Sequence, residues 1–159
     1  MGNMKNKGLI TEDNILIDCN VSSKEEAIDK LAELLVELGA VSDKPGFLKD
    51  IYERESRGFT FAGDYLAIPH GWSKHVVRTA AVVLKTKDSI VWDEKGNLVK
   101  LIIMFVIPEG DEMGQGLKMI GQLFSSLGDV EAVKKLLDAD TKKEIARLIC
   151  NYAHTKSKF

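Results

Sequence analysis

Apolar positions along the chain change period twice, and those changes divide it into three blocks. The first block opens with a short apolar run at 15–18, bounded by turn formers, which predicts a strand. Ala27, Ile28, Leu31, Leu34, Leu35 and Leu38 then recur at helical spacing. Ser22 and Glu25 have the spacing of a capping box at the start of that helix, and Gly39 stops it. Asp43 predicts a cap for a second helix with Pro45 in its first turn and a buried stripe of Phe47, Leu48, Ile51 and Tyr52. This helix should end near residues 56–58, which puts Arg54 in its last turn.

In the middle block the pattern shifts to short β-branched runs at 65–68, 80–84 and 101–107, which predict strands. Lys95, Gly96 and Asn97 signal a tight turn between a segment at 90–92 and the strand that ends before Pro108. Helical period returns after Pro108. Leu117, Ile120, Leu123, Phe124 and Leu127 form one stripe. Val130, Val133, Leu136 and Leu137 form a second behind an Asp129 cap, and Ile145, Leu148, Ile149 and Tyr152 a third behind a Thr141/Glu144 capping box. The order is strand, two helices, a block of strands, three helices. A central sheet needs both faces covered, and helices from both ends of the chain can cover them. The expected fold is a single α/β domain over 9–154, with helices on both sides of a mixed sheet. Residues 1–8 and a tail at 155–159 are expected to be disordered.

Composition narrows the function classes. The 159 residues, 45% of them hydrophobic, suit one domain with a substantial core. With 22 basic and 24 acidic residues and no basic block, nucleic acid is not an expected partner. No apolar run approaches the ~20 residues of a membrane helix, and residues 1–8 are too polar for a signal peptide, so the default location is the cytoplasm. Cys19 and Cys150 form no Cys-x-x-Cys unit and read as free thiols.

The residues with the most chemistry lie between Arg54 and His75. His70 stands at the end of a short apolar run between Pro69 and Gly71. Proline fixes the backbone entering it, and glycine permits a sharp turn or a close approach afterwards. An imidazole so presented can act as a base, a ligand or a nucleophile. Arg54 offers a permanent charge suited to a phosphoryl group. Each has a plainer reading: Arg54 as a helix-end arginine paired with Glu53 or Glu55, His70 as a turn histidine bonded to backbone. His75, five residues from His70 and without nearby acids, makes a poor metal partner and reads as a surface residue. Phe59, Phe61 and Trp72 flank the motif, and one of them is expected at an interface. No metal and no cofactor are expected.

The pair Arg54-Glu55, then Thr60, then the run Gly63-Asp64-Tyr65-Leu66-Ala67-Ile68-Pro69-His70-Gly71, resembles the enzyme IIA domain of the fructose/mannitol type, a component of the bacterial phosphoenolpyruvate-dependent sugar phosphotransferase system (PTS). The likeness continues through Ser73, Val91-Trp92-Asp93, the strand up to Pro108-Glu109 and the closing helices, and spans about residues 10–149. The resemblance implies a three-layer α/β/α sandwich around a mixed sheet, of the phosphotransferase/anion transport protein type. It implies that His70 carries the phosphoryl group and Arg54 stabilises it, with Thr60 and Ser73 as candidate binding residues. It also implies the carrier HPr as donor, an enzyme IIB domain as acceptor and, beyond that, the membrane component IIC. One departure stands out: the place of the family's second histidine reads Gly116-Leu117. That leaves room for a regulatory member of the nitrogen-related kind, a binding module controlled by phosphorylation.

The glycines of Gly114-Gln115-Gly116 let backbone N–H groups at a helix start approach a phosphoryl group, and the Gln115 amide can donate once more, so Gln115 and Gly116 are candidate binding residues. Glutamine removal (Gln115→Ala) should then slow phosphoryl acceptance several-fold, about 1 kcal/mol. Restoring Gly116→His should change the rate only modestly. Stopped-flow transfer assays on both variants check this, and a Gly116→His protein that alone accepts phosphate would contradict it.

Overall fold

The computed structural model describes residues 10–58, 60–110, 114, 118, 121, 125 and 127–157, with side chains described as far as 149. After a 3-10 turn, Glu12–Asn14, come β1 (Ile15–Cys19), α1 (Lys24–Glu37), α2 (Lys44–Glu55), β2 (Phe61–Gly63), β3 (Leu66–Ala67), β4 (His70–Ser73), β5 (Ala80–Val91), β6 (Leu98–Pro108), α3 (Val130–Asp138) and α4 (Lys142–Ser157). The last turn of α4 runs past Thr155, where the sequence suggests a tail. The sheet order is β1-β5-β6-β3-β2, with β4 also pairing β6. β1–β5, β3–β6 and β4–β6 are parallel, and β2–β3 and β5–β6 antiparallel. The sheet is therefore mixed, as expected.

β6 is the centre of the packing. Residues 101–107 are all buried. Alternate side chains serve two cores. Ile102, Met104 and Val106 face α1 and α2, packing with Ile28, Leu31, Leu35, Phe47 and Ile51. Leu101, Ile103, Phe105 and Ile107 face α3 and α4, packing with Val133, Leu136, Ile145 and Ile149. Burial on both faces explains why this strand reads as an unbroken apolar run. The three layers anticipated from the sequence are present. The helix expected through Leu117, Ile120, Leu123 and Phe124 lies outside the described residues; Leu127 is buried with the α3/α4 core.

Several local expectations are corrected. β5 is one strand of 12 residues, carried past its exposed stretch 87–89 by a register shift between Lys85 and Ile90. The cap of α1 is Ser23, whose side chain accepts from the Glu26 N–H, while the Glu26 carboxylate takes the Ser22 hydroxyl at 2.6 Å. The cap thus sits one residue later than Ser22, and the Glu26 carboxylate returns to Ser22 instead of closing a box on Ser23. On α2, Phe47 and Ile51 are buried, Leu48 is half-buried and Tyr52 faces solvent. Val130 is likewise exposed, and Ala132 takes its place in the core. The Asp93–Asn97 turn is as expected: the Asp93 carboxylate accepts from the Lys95 and Asn97 N–H groups, and the Asn97 side-chain bond holds its pKa below the ordinary range.

The largest correction concerns residues 66–73. β3 and β4 lie end to end along one side of β6 in a single register, Leu66 opposite Leu101 and His70 opposite Phe105. His70 therefore opens a strand instead of ending one, and Gly71 makes no turn. Gly71 is buried against α2; a Cβ there would stand 3.5 Å from Ile51 Cδ1 and 3.9 Å from Arg54 Cβ. A methyl fits at ordinary contact, so Gly71→Ala should unfold in urea much as the parent does. The two γ-methyls of Gly71→Val overpack the contact and should cost about 1–3 kcal/mol.

Candidate functional site

The site begins with the Ile68-Pro69 step. A residue before proline is confined to extended backbone, and proline has no N–H to give the ladder. Here Pro69 interrupts the β3–β4 edge without breaking register: its carbonyl accepts the Phe105 N–H at 3.0 Å, and the Ile68 N–H goes to the Thr60 carbonyl at 2.7 Å. That leaves the Ile68 carbonyl turned toward His70, whose Nδ1 lies 2.9 Å from it. His70 Nε2 lies 3.2 Å from Arg54 Nη2.

These two contacts fix the protonation pattern of the ring. A carbonyl only accepts and a guanidinium only donates. Both are satisfied together by the neutral tautomer with its proton on Nδ1 and its lone pair on Nε2. The backbone bond considered in the plainer reading of His70 is thus real, and it leaves the Nε2 lone pair facing Arg54.

Arg54 reaches this position because Phe47, Asp50, Ile51 and Arg54 share one flank of α2, at offsets of three and four. Phe47 and Ile51 anchor that flank in the core. Asp50 ties it to β4 by accepting the hydroxyl of the buried Ser73 at 2.6 Å, and the same hydroxyl accepts the His75 N–H. The acids considered as partners of Arg54 are engaged elsewhere: Glu53 with Arg57, and Glu55 with Lys24 at 2.7 Å. Its guanidinium is directed at the imidazole. Beside Arg54 and the Gly71-Trp72 step that follows His70 is a shallow depression of about 230 Å³, also bordered by Asp50, Arg57 and Glu109, with Trp72 49% exposed.

Other sequence candidates fall in different places. Thr60 is buried, and its hydroxyl donates to Glu55 Oε1 at 2.8 Å and accepts from Trp92 Nε1 at 2.9 Å. Ser73 is committed to Asp50. Both hydroxyls support the site from below and do not line its mouth. His75 is half-buried at the start of α2, with Nδ1 3.7 Å from Asp43, so it is not a free surface residue. Phe61 packs on the core, which leaves Trp72 as the exposed aromatic; Phe59, Gln115 and Gly116 lie outside the described residues. Among the described residues no cluster of histidine, cysteine and acid could hold a metal. Asp50 went unnoticed in the sequence; its only signal is its place one turn before Arg54. A larger cleft of about 820 Å³ runs along Lys24, Glu55, Trp92 and Asp93 but includes neither His70 nor Arg54.

An imidazole lone pair beside a fixed guanidinium can attack phosphorus and hold the equatorial oxygens as charge moves onto them. The comparisons with known proteins agree with that chemistry. Residues 8–152 match the family described as phosphoenolpyruvate-dependent sugar phosphotransferase system, EIIA 2. The mannitol-specific phosphotransferase enzyme IIA component of Staphylococcus aureus is 31% identical over 140 residues, covering 86% of this chain and 94% of that protein. The nitrogen regulatory protein IIA-Ntr of Neisseria meningitidis superposes with a TM-score of 0.79 at 21% identity, covering 92% of this chain and 99% of that one. Enzyme IIAMTL in its complex with phosphorylated enzyme IIBMTL from Escherichia coli gives 0.73 at 22% identity, covering 89% and 97%. The α/β fold with an arginine-backed histidine is that of a phosphotransferase component. The chain belongs to the type 2 enzyme IIA family of the sugar phosphotransferase system.

Proposed function

We propose that the protein relays a phosphoryl group on His70 Nε2, taking it from the phosphohistidine of HPr and passing it to an enzyme IIB domain, which serves a membrane IIC component. The observation that carries this reading is the pair of contacts on one ring, Nδ1 to the Ile68 carbonyl and Nε2 to Arg54. The ring needs no proton transfer before attack, because its proton already sits on the nitrogen that does not react. Arg54 offsets the charge of the arriving group. Little covalent help is required beyond position and charge. An open depression with an exposed Trp72 suits two protein partners in turn better than a deep pocket would. Such a relay works in the cytoplasm, and among the described residues no helix is long and apolar enough to cross a membrane.

A second reading rests on Gly116, which stands where the family's second histidine is usual. In that reading His70 is phosphorylated as a signal, and the protein acts as a nitrogen-type regulatory module by docking to targets. The fate of the phosphoryl group separates the two: a carrier loses it rapidly to an enzyme IIB cysteine, and a signalling module holds it.

Incubation with phosphoenolpyruvate, enzyme I and HPr should add one acid-labile, base-stable phosphate, and His70→Ala should add none. Stoichiometric labelling of His70→Ala would overturn the site. Arg54→Ala should fold normally and transfer roughly a hundredfold more slowly, about 3 kcal/mol, as expected for a lost donor to developing charge. An unchanged rate would return Arg54 to a helix-end role.

A further inference from the structure

We infer that Glu55 and Thr60 are positioning residues for the His70 ring: together they hold the backbone that keeps its proton on Nδ1. This rests on the phosphoryl-relay reading for its functional consequence, though the tautomer itself does not.

Three links lead from the junction to the ring. The Thr60 hydroxyl donates to Glu55 Oε1 and accepts from Trp92 Nε1, which fixes Thr60 between the end of α2 and the end of β5. With Thr60 held, its carbonyl takes the Ile68 N–H at 2.7 Å. With Ile68 held on one side by Thr60 and stiffened on the other by Pro69, its own carbonyl meets His70 Nδ1–H. Glu55 works on the other nitrogen too. It is the last residue of α2 and follows Arg54 directly, so the junction that seats Glu55 also seats the helix turn that aims the guanidinium at Nε2.

The junction has features that stability alone does not call for. Lys24, the first residue of α1, pairs with Glu55 Oε1 at 2.7 Å and lies 4.9 Å from the Trp92 ring centroid. Lys24 at the start of α1 and Thr60 in the loop after α2 thus meet on one carboxylate oxygen. Glu55 is 6% exposed at its side chain, and its Oε2 is buried with no hydrogen-bond partner among the described residues. Burying a carboxylate oxygen unbonded is unfavourable, and an apolar contact would close this corner at lower cost. Departures of this kind gather where geometry serves chemistry.

The test uses the unphosphorylated full chain, labelled with ¹⁵N, at about pH 8.5, where an ordinary imidazole is neutral. Two-bond ¹H–¹⁵N correlations distinguish Nδ1–H from Nε2–H. Wild type should show His70 as the Nδ1–H tautomer alone. Thr60→Val, which removes the hydroxyl and keeps the shape, should admit the Nε2–H form. It should also slow phosphoryl acceptance from phospho-HPr about five- to tenfold, the scale of one hydrogen bond, with KM for the donor unchanged. Thr60→Ser, which keeps the hydroxyl, should restore both. If Thr60→Val does not fold, Glu55→Ala decides the matter by the same two readouts. A folded Thr60→Val or Glu55→Ala protein with a wild-type tautomer and rate overturns the inference. Labelling that survives His70→Ala would instead defeat the relay reading while leaving the tautomer result standing.

Discussion

The hydrogen bond from His70 Nδ1 to the Ile68 carbonyl is the contact on which the site turns, and it exists because Ile68, Pro69 and His70 are laid along β6 in one register. β6 is buried on both faces, so its backbone is held firmly in place. Its Phe105 N–H binds the Pro69 carbonyl, and the Tyr65 carbonyl receives both the Lys100 and Leu101 N–H groups. Between those anchor points the Ile68 carbonyl has nowhere to go except toward the ring. The chemistry of a single nitrogen is therefore set by the packing of a whole sheet.

The second arm of the site comes from the other side of the sheet's layer. α2 carries Arg54, and its approach to β4 is governed by small and polar details. Gly71 lies beneath it with room for no more than a methyl, Phe47 and Ile51 hold it in the core, and Ser73 binds Asp50 across the gap. Each fixes a degree of freedom of the guanidinium, and a guanidinium is useful to a phosphoryl group in proportion to how well it is placed beforehand.

Much of this was legible in the sequence, for identifiable reasons. The three-layer order follows from period changes that the chain displays openly, and α1, α3 and α4 carry strong stripes with caps at or beside the expected residue. Arg54 and His70 stood out because their residue types suit phosphoryl chemistry and their surroundings resemble a known motif. The strand character of His70 did not show, because β4 gains its place from pairing with β6 and reads His-Gly-Trp-Ser, without alternation. The register of β6 was equally hidden: with both faces apolar, alternation gives no preference for one register over the next. It is set by the turn at Asp93–Asn97 before the run and by the Tyr65 carbonyl, which takes the N–H of Leu101 at its start. Thr60 and Ser73 could be flagged, but whether their hydroxyls meet a ligand or a buried carboxylate depends on Glu55, Trp92 and Asp50, each brought up by a different element.

The central claim is that the fold reserves Nε2 of His70 for phosphorus by holding Nδ1 to backbone. The direct measurement is the position of the phosphoryl group in the phosphorylated protein, read by ¹⁵N and ³¹P NMR through the phosphorus–nitrogen coupling on the labelled ring. The account predicts coupling to Nε2 with Nδ1 still protonated and bonded to Ile68. A phosphoryl group on Nδ1 would contradict it, since that nitrogen could then no longer donate to the carbonyl that positions the ring.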